Sequence, residues 1–179
     1  QPISLTGIND AGQMIGRYDI PMQPDSAFVI SSDGTRTEMV LGDLGGYGSY
    51  ARAINNAGHI AGDSPTGPAR ISHVFLWVNG AMTELGTLDG TPSHATDINM
   101  ADEIVGYAET GSGTRAFRHG DSLFTDLGSF GGAHSVAAAI NDAGQIVGGS
   151  TLARDRITEP WGERAFLYLG GTMYDLNDL

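Results

Sequence analysis

Five histidines, 21 acidic residues and a scatter of serines and aromatics are the groups in this 179-residue chain best equipped for chemistry. Metal binding through imidazole needs three or four convergent donors, and His59, His73, His94, His119 and His134 show no HxH or HExxH spacing. His59 stands just after a turn, in the slot that holds Gln13 and Gln145 in sister segments, which predicts an exposed, incidental side chain. His94 and His134 fall near the starts of equivalent strands, two residues out of register, and are expected on one rim.

Nucleophilic catalysis finds no frame. The only approach to a Gly-x-Ser-x-Gly elbow is Gly111-Ser112-Gly113, which reads as a loop. Neither a P-loop nor a dinucleotide fingerprint is present, since Gly131-Gly132 precedes a strand rather than a helix. Paired carboxylates would serve a polysaccharide hydrolase. Glu38/Asp43, Glu84/Asp89 and Asp126, however, recur with the repeat, which points to solvated caps at strand ends. Hard oxygen ligands suit an acidic chain, so bound calcium is the cofactor the composition leaves open. Among the equivalent positions Gly7, Ala53, Asp97 and Ala139 only one is acidic, so no symmetric carboxylate ring is encoded there. No catalytic residue and no metal ligand is therefore assigned.

Aromatic side chains are the material of sugar platforms and protein hot spots. Tyr47, Tyr50, Tyr107, Tyr168, Tyr174, Trp77 and Trp161 are the candidates. Trp77 lies within a strand and is expected to pack between repeat units. Trp161 sits in the segment Thr151–Glu163 with Arg154, Asp155, Arg156 and Glu159, the longest and most charged loop. These five residues are the expected partner contact. The equivalents of Tyr50 are Ser4, His94 and Val136, so no repeated aromatic is offered to a glycan, and a protein partner is ranked above a sugar.

What positions these residues is a repeat. INDAGQIVG at Ile140–Gly148 returns as Ile8–Gly16, Ile54–Gly62 and Ile98–Gly106, at spacings of 46, 44 and 42 from the first copy on. The tetrad suits a type I turn ending in a left-handed residue. Gly12, Gly58 and Gly144 fill that slot and Asp102 replaces them in the third copy, while Asn9, Asn55, Asn99 and Asn141 are expected to fold onto the turn backbone. A second motif falls between: Ser26-Ala27-Phe28, His73-Val74-Phe75, Arg115-Ala116-Phe117 and Arg164-Ala165-Phe166. It opens a hairpin around Asp33-Gly34, Asn79-Gly80, Gly120-Asp121 or Gly170-Gly171. A Leu-Gly-x-Leu exit and a Gly-rich link follow, then a strand of small residues that suggests close approach near an axis.

Four short strands per unit at about 45 residues are the mark of a propeller blade. The expected fold is a single all-β domain over 1–179, a four-bladed β-propeller with four antiparallel strands per blade. Its units are 27–73, 74–115 and 116–164, with a closing blade shared by 165–179 and 1–26. The rival is half of an eight-bladed ring completed by a second chain.

Composition narrows the partner. A net charge of −12 with nine Lys+Arg argues against nucleic acid and anionic membrane surfaces. Zero Cys removes disulfides and thiolate sites, and no apolar run approaches the ~18 residues of a spanning helix. A chain starting at Gln1 fits an exported protein after signal-peptide removal.

The order Ala-Phe, hairpin, Leu-Gly-x-Leu-Gly-Gly, INDAGQIVG resembles the extracellular repeat of the HAF family over essentially the whole chain, although no copy reads His-Ala-Phe literally. The resemblance implies bacterial export and a repeat architecture, and it brings no catalytic residues. The expectation is a non-catalytic extracellular or periplasmic scaffold or accessory subunit, monomeric or within a hetero-assembly. A lectin-like module and a hydrolase using rim carboxylates are the alternatives.

Overall fold

The computed structural model describes residues 3–18, 26–31, 38–46, 48–153 and 163–178. They form an all-β fold of short strands with a single 3-10 turn at Leu176–Asp178. The strands fall into four antiparallel groups, each contiguous in sequence. The first holds β1 (Ile3–Ile8), β2 (Met14–Tyr18), β3 (Ser26–Ile30) and β4 (Glu38–Val40). The second holds β5 (Tyr50–Ile54), β6 (Ile60–Thr66), β7 (Ile71–Val78) and β8 (Ala81–Gly86). The third runs through β9 (Ser93–Ile98), β10 (Ile104–Thr110), β11 (Gly113–Gly120) and β12 (Leu123–Gly128). The fourth has β13 (Gly131–Ile140), β14 (Ile146–Leu152), β15 (Glu163–Leu169) and β16 (Thr172–Asp175). One parallel bridge, Thr114 to His134, links the third and fourth groups into an eight-stranded sheet.

This grouping corrects the expected closing blade. The hairpin β15–β16 pairs through β14 with β13, and β1–β2 pair onward with β3, so no sheet is shared between the chain's ends among the described residues. The reason lies in how the two sequence motifs meet. The Gly that closes each Ile-Asn segment pairs with the Phe that follows it in sequence: Gly16 with Phe28, Gly62 with Phe75, Gly106 with Phe117 and Gly148 with Phe166. A Cβ on Gly62 would stand 2.2 Å from the Tyr50 carbonyl oxygen and 2.4 Å from the Phe75 ring. The missing side chain is thus the seat for the next motif's ring, and each sheet runs from Ile-Asn hairpin to Ala-Phe hairpin. The seams fall in the Gly-rich links.

Turn chemistry follows the residue types. Gly12, Gly58 and Gly144 have φ of 73°, 81° and 73°, and Asp102 has 60°. Asn79-Gly80 makes its hairpin with both residues at positive φ, whereas the third hairpin turns on Asp121-Ser122, one residue later than Gly120-Asp121. Asp33-Gly34 lies outside the described residues.

Packing between sheets supplies the core. Ile15, Ala27, Val29 and Leu41 of the first sheet meet Ala51, Ile60, Phe75 and Trp77 of the second, so Trp77 does pack between units. Ala61 and Val74 meet Ala95, Ile98, Ile104 and Phe117; Val105, Ala116 and Leu127 meet Ala137, Ile140, Ile146 and Phe166. The first strands β1, β5, β9 and β13 pack in succession, and their small residues permit that approach. Among the described residues no packing of comparable extent joins β13 back to β1. Their four sheets form an open series rather than the expected closed four-sheet ring.

Hydrogen bonds give the series a direction. Each turn Asn folds its Oδ1 onto backbone N–H groups two to four residues on, as in Ala57 and His59 donating to Asn55. Its amide then reaches the next sheet: Asn9 Nδ2 donates to the Asn55 carbonyl at 3.0 Å, Asn55 to Asn99 at 3.0 Å, and Asn99 to Asn141 at 3.2 Å. Thr6 and Thr96 hydroxyls donate to the Ala51 and Ala137 carbonyls in the same sense. His59 is not incidental, since its Nδ1 lies 2.8 Å from Asp102 on the neighbouring sheet.

Asn55→Ala therefore removes two turn bonds and two cross-sheet bonds, the second of these to Asp102. The expected loss is about 2–4 kcal/mol by urea unfolding. Asn56→Ala removes exposed contacts to Asp10 and should lose less than about 1 kcal/mol; equal losses would contradict the relay.

His119 generates a pH test. It is buried with its ring edge-on to Phe124, and burial, then the Arg118 charge, pushes its pKa below the usual value. A histidine held neutral in the fold contributes stability above its unfolded pKa of about 6.5, and loses it as pH falls through that value toward the lower folded one. Wild type should lose urea stability relative to His119→Gln between pH 8 and about 5.5.

Candidate functional site

The Ile-Asn turns lie at one end of the sheets, where the sequence repeats. At the other end the slot after each closing Gly holds Arg17, Asp63, Tyr107 and Gly149, and the residue opposite is Ser4, Tyr50, His94 and Val136. These are single-copy residues on a repeated frame, and the first three sheets bring several together.

Asp63 is the anchor. Its side chain is 1% exposed and accepts Arg52 Nε at 2.7 Å and Nη2 at 3.1 Å, a two-pronged contact that fits guanidinium to carboxylate. His94 Nδ1 lies 3.2 Å from Asp63 Oδ2, the oxygen that also accepts Arg52 Nη2, and its Nε2 lies 3.5 Å from Glu109. Burial by itself would pull the Arg52 guanidinium down. The hydrogen bond and charge of Asp63 outweigh it, so the group sits above its ordinary value and stays cationic.

Aromatic faces extend the cluster. The guanidiniums of Arg17 and Arg52 lie 5.5 Å and 5.2 Å from the centre of the Tyr50 ring, within cation–π reach. His94 stacks obliquely on Tyr107 at 5.1 Å. Arg52 also reaches a recess of about 330 Å³ lined by all four first strands, with Thr6, Thr96 and Ala138 in its own register position. Asp97, on that recess, accepts the Ile98 and Ile140 backbone N–H groups and fastens the third sheet to the fourth.

A larger recess of about 790 Å³ opens at the same end, between the third and fourth sheets. Asp89, Arg115, Asp126, His134, Thr110 and Thr151 give it polar walls. Arg115 Nε donates to Asp126 at 3.2 Å, and His134 faces the Thr114 hydroxyl at 3.4 Å. His94 and His134 thus lie at the same end of the sheets, in separate clusters.

Three of the candidate acids have partners of their own. Glu84 meets His73 Nδ1 at 2.5 Å, Asp43 caps the Gly45 N–H, and Asp126 caps Gly128 besides holding Arg115. Among the described residues no three His, Asp or Glu side chains converge as a metal would require. The predicted contact residues Arg154, Asp155, Arg156, Glu159 and Trp161 lie outside the described residues. The chain enters that stretch from Leu152, on the wall of the larger recess.

Chemically, the Asp63 cluster can present fixed cations, a carboxylate-oriented imidazole and two phenol rings, which suits recognition of anionic or aromatic groups. Sequence reading passed over Arg52 and Asp63 because attention rests on what repeats. The usable signal was the reverse, one position in an otherwise regular segment changing from Arg17 to Asp63 to Tyr107 to Gly149.

No protein-family model and no curated protein sequence matches the chain. Solved structures do. TolB from Acinetobacter baumannii superimposes with a TM-score of 0.65 at 12% identity over 97% of this chain. A TolB structure from Agrobacterium tumefaciens gives 0.68 at 14% over 94%. The chain spans 42% and 62% of their respective lengths. At that identity the likeness concerns fold alone, an all-β array of the propeller type.

Arg52→Ala leaves a buried carboxylate with the His94 ring as its remaining side-chain partner, whereas Asp63→Asn frees a guanidinium that is 39% exposed and can turn to water. The first should cost about 2–3 kcal/mol in urea unfolding and the second about 1 kcal/mol. The reverse order would show that Asp63 is not the anchor.

Proposed function

We propose that the chain is a non-catalytic, exported scaffold of the HAF-repeat kind, whose four sheets serve as consecutive propeller blades and bind a protein partner in an extracytoplasmic assembly. The observation that carries this reading is the division of the array into a repeated end and a single-copy end. At the turn end the same Asn contacts recur from sheet to sheet. At the other end Arg17, Tyr50, Arg52, His94 and Tyr107 occur once each in a contiguous strip. Tyr and Arg on a rigid base are the material of protein hot spots. Asp63 sets the orientation of Arg52 and His94 in advance, which lowers the ordering cost of binding.

Leu152 lies at that end, and the segment after it, with Arg154, Asp155, Arg156, Glu159 and Trp161, belongs to the proposed contact. Export rests on the resemblance in the repeat motifs. A lectin-like reading is favoured by one feature, the polar recess around Arg115, Asp126 and His134. A hydrolase is less well supported, since Glu84 and Asp126 are tied to His73 and Arg115.

Capture of partners from extracytoplasmic extract, beside a glycan array, separates these readings. The wild-type chain should retain a protein partner that Trp161→Ala and Arg156→Ala lose, while the array stays dark. Partners kept by both variants, with a glycan signal lost on Arg115→Ala, would reverse the ranking. Glycan turnover lost on changing one Asp or Glu would establish an enzyme.

A further inference from the structure

One position of the first strands changes its task in a single sheet. Thr6, Arg52 and Thr96 hold it in the first three sheets. The Thr6 and Thr96 hydroxyls donate across to the Ala51 and Ala137 carbonyls of the next sheet. Among the described residues Arg52 makes no such bond to the third sheet. It turns back onto Asp63 of its own sheet, through Nε at 2.7 Å and Nη2 at 3.1 Å. Both residues stand on the second sheet, which has a neighbour on each side. A fastening is given up there, and such departures from a regular frame fall where something is recognised.

The donors left over say what that is. A guanidinium carries five N–H groups and no acceptor. Asp63 takes Nε–H and one hydrogen of Nη2, so among the described residues both Nη1 hydrogens and the second on Nη2 have no acceptor. The side chain is 39% exposed, with its guanidinium 5.2 Å from the centre of the Tyr50 ring. Arg17, on the first sheet, brings a second guanidinium to 5.5 Å from the same centre. Asp63 has nothing to offer a cation from outside: Oδ1 accepts Arg52 Nε, Oδ2 faces Arg52 Nη2 and His94 Nδ1, and the side chain is 1% exposed. The complement is therefore an anionic acceptor. The planar Nη1–Nη2 edge matches the two oxygens of a carboxylate. A phosphodiester strand or an anionic membrane would meet the field of a chain of net charge −12, whereas a single carboxylate needs only the local edge.

We propose that the outer edge of Arg52, held by Asp63 beside the Tyr50 ring, receives an Asp or Glu side chain of the partner protein, with Arg17 as the neighbouring cation. This rests on the reading of the strip as a protein contact and gives that contact its chemistry. Arg52 is then the residue that selects the partner's acidic group.

The test uses a phage-displayed library of random peptides panned against the wild-type chain. Retained peptides should be enriched in Asp or Glu at one position, and changing that residue to Asn or Gln should weaken binding about tenfold or more. Arg52→Lys keeps the charge and loses the fork, so with unchanged circular dichroism it should bind the same peptides about tenfold more weakly. Arg118→Gln, which alters a guanidinium tied to Glu103 at the turn end, should bind them as wild type does. No retained peptide, peptides without an acid, or peptides indifferent to both Arg52→Lys and the amide exchange would each overturn the proposal. The amide exchange uses wild-type protein and so gives its answer whether or not Arg52→Lys folds. The two readings fail differently. A partner captured from extract equally well by wild type and Arg52→Lys overturns the carboxylate site and leaves the scaffold standing. Acidic peptides held at Arg52, with no protein captured from extract, support the site and count against the scaffold.

Discussion

A sheet in this chain is incomplete until another covers it. Each buries its forward aliphatics only beneath its successor, and each turn Asn has an amide hydrogen left over for a carbonyl one sheet on. Burial of Ile, Val, Phe and Trp between sheets supplies the stabilisation. The Asn amides fix register, because a slipped neighbour would leave polar groups buried and unpaired. Stability is therefore close to a sum over interfaces, as in other repeat arrays. Among the described residues the middle sheets have two neighbours, and the outer ones have one.

Much of this was legible in the residues. The turn positions, the Asn-Gly hairpin, the four-stranded content of a repeat and the packing of Trp77 follow from spacing and from positive-φ preferences. The seam was not legible, because a repeat read in a circle has no natural start. Which hairpin shares a sheet with which is decided by contact between Gly62 and Phe75, 13 residues apart in sequence and cross-strand partners in space, and by the equivalent pairs. Misplacing that seam produced the shared closing blade.

The candidate site had the opposite history. Asp63 and Arg52 are ordinary residues in sequence, and their significance comes from burial, which composition does not report. His59 was similarly read as an isolated side chain, yet it reaches across to Asp102. In both cases the missing information was the neighbouring sheet. Repetition builds the frame, and departures from repetition at one end give the frame something particular to recognise.

The central claim is that coverage by neighbouring sheets, in one direction, orders the stability of the array. Native-state hydrogen exchange addresses it strand by strand. Protection should be greatest in β9 and β10, which have sheets on both sides, and least in β1, whose receiving face is bare. Uniform protection, or β1 as slow as β9, would contradict the account.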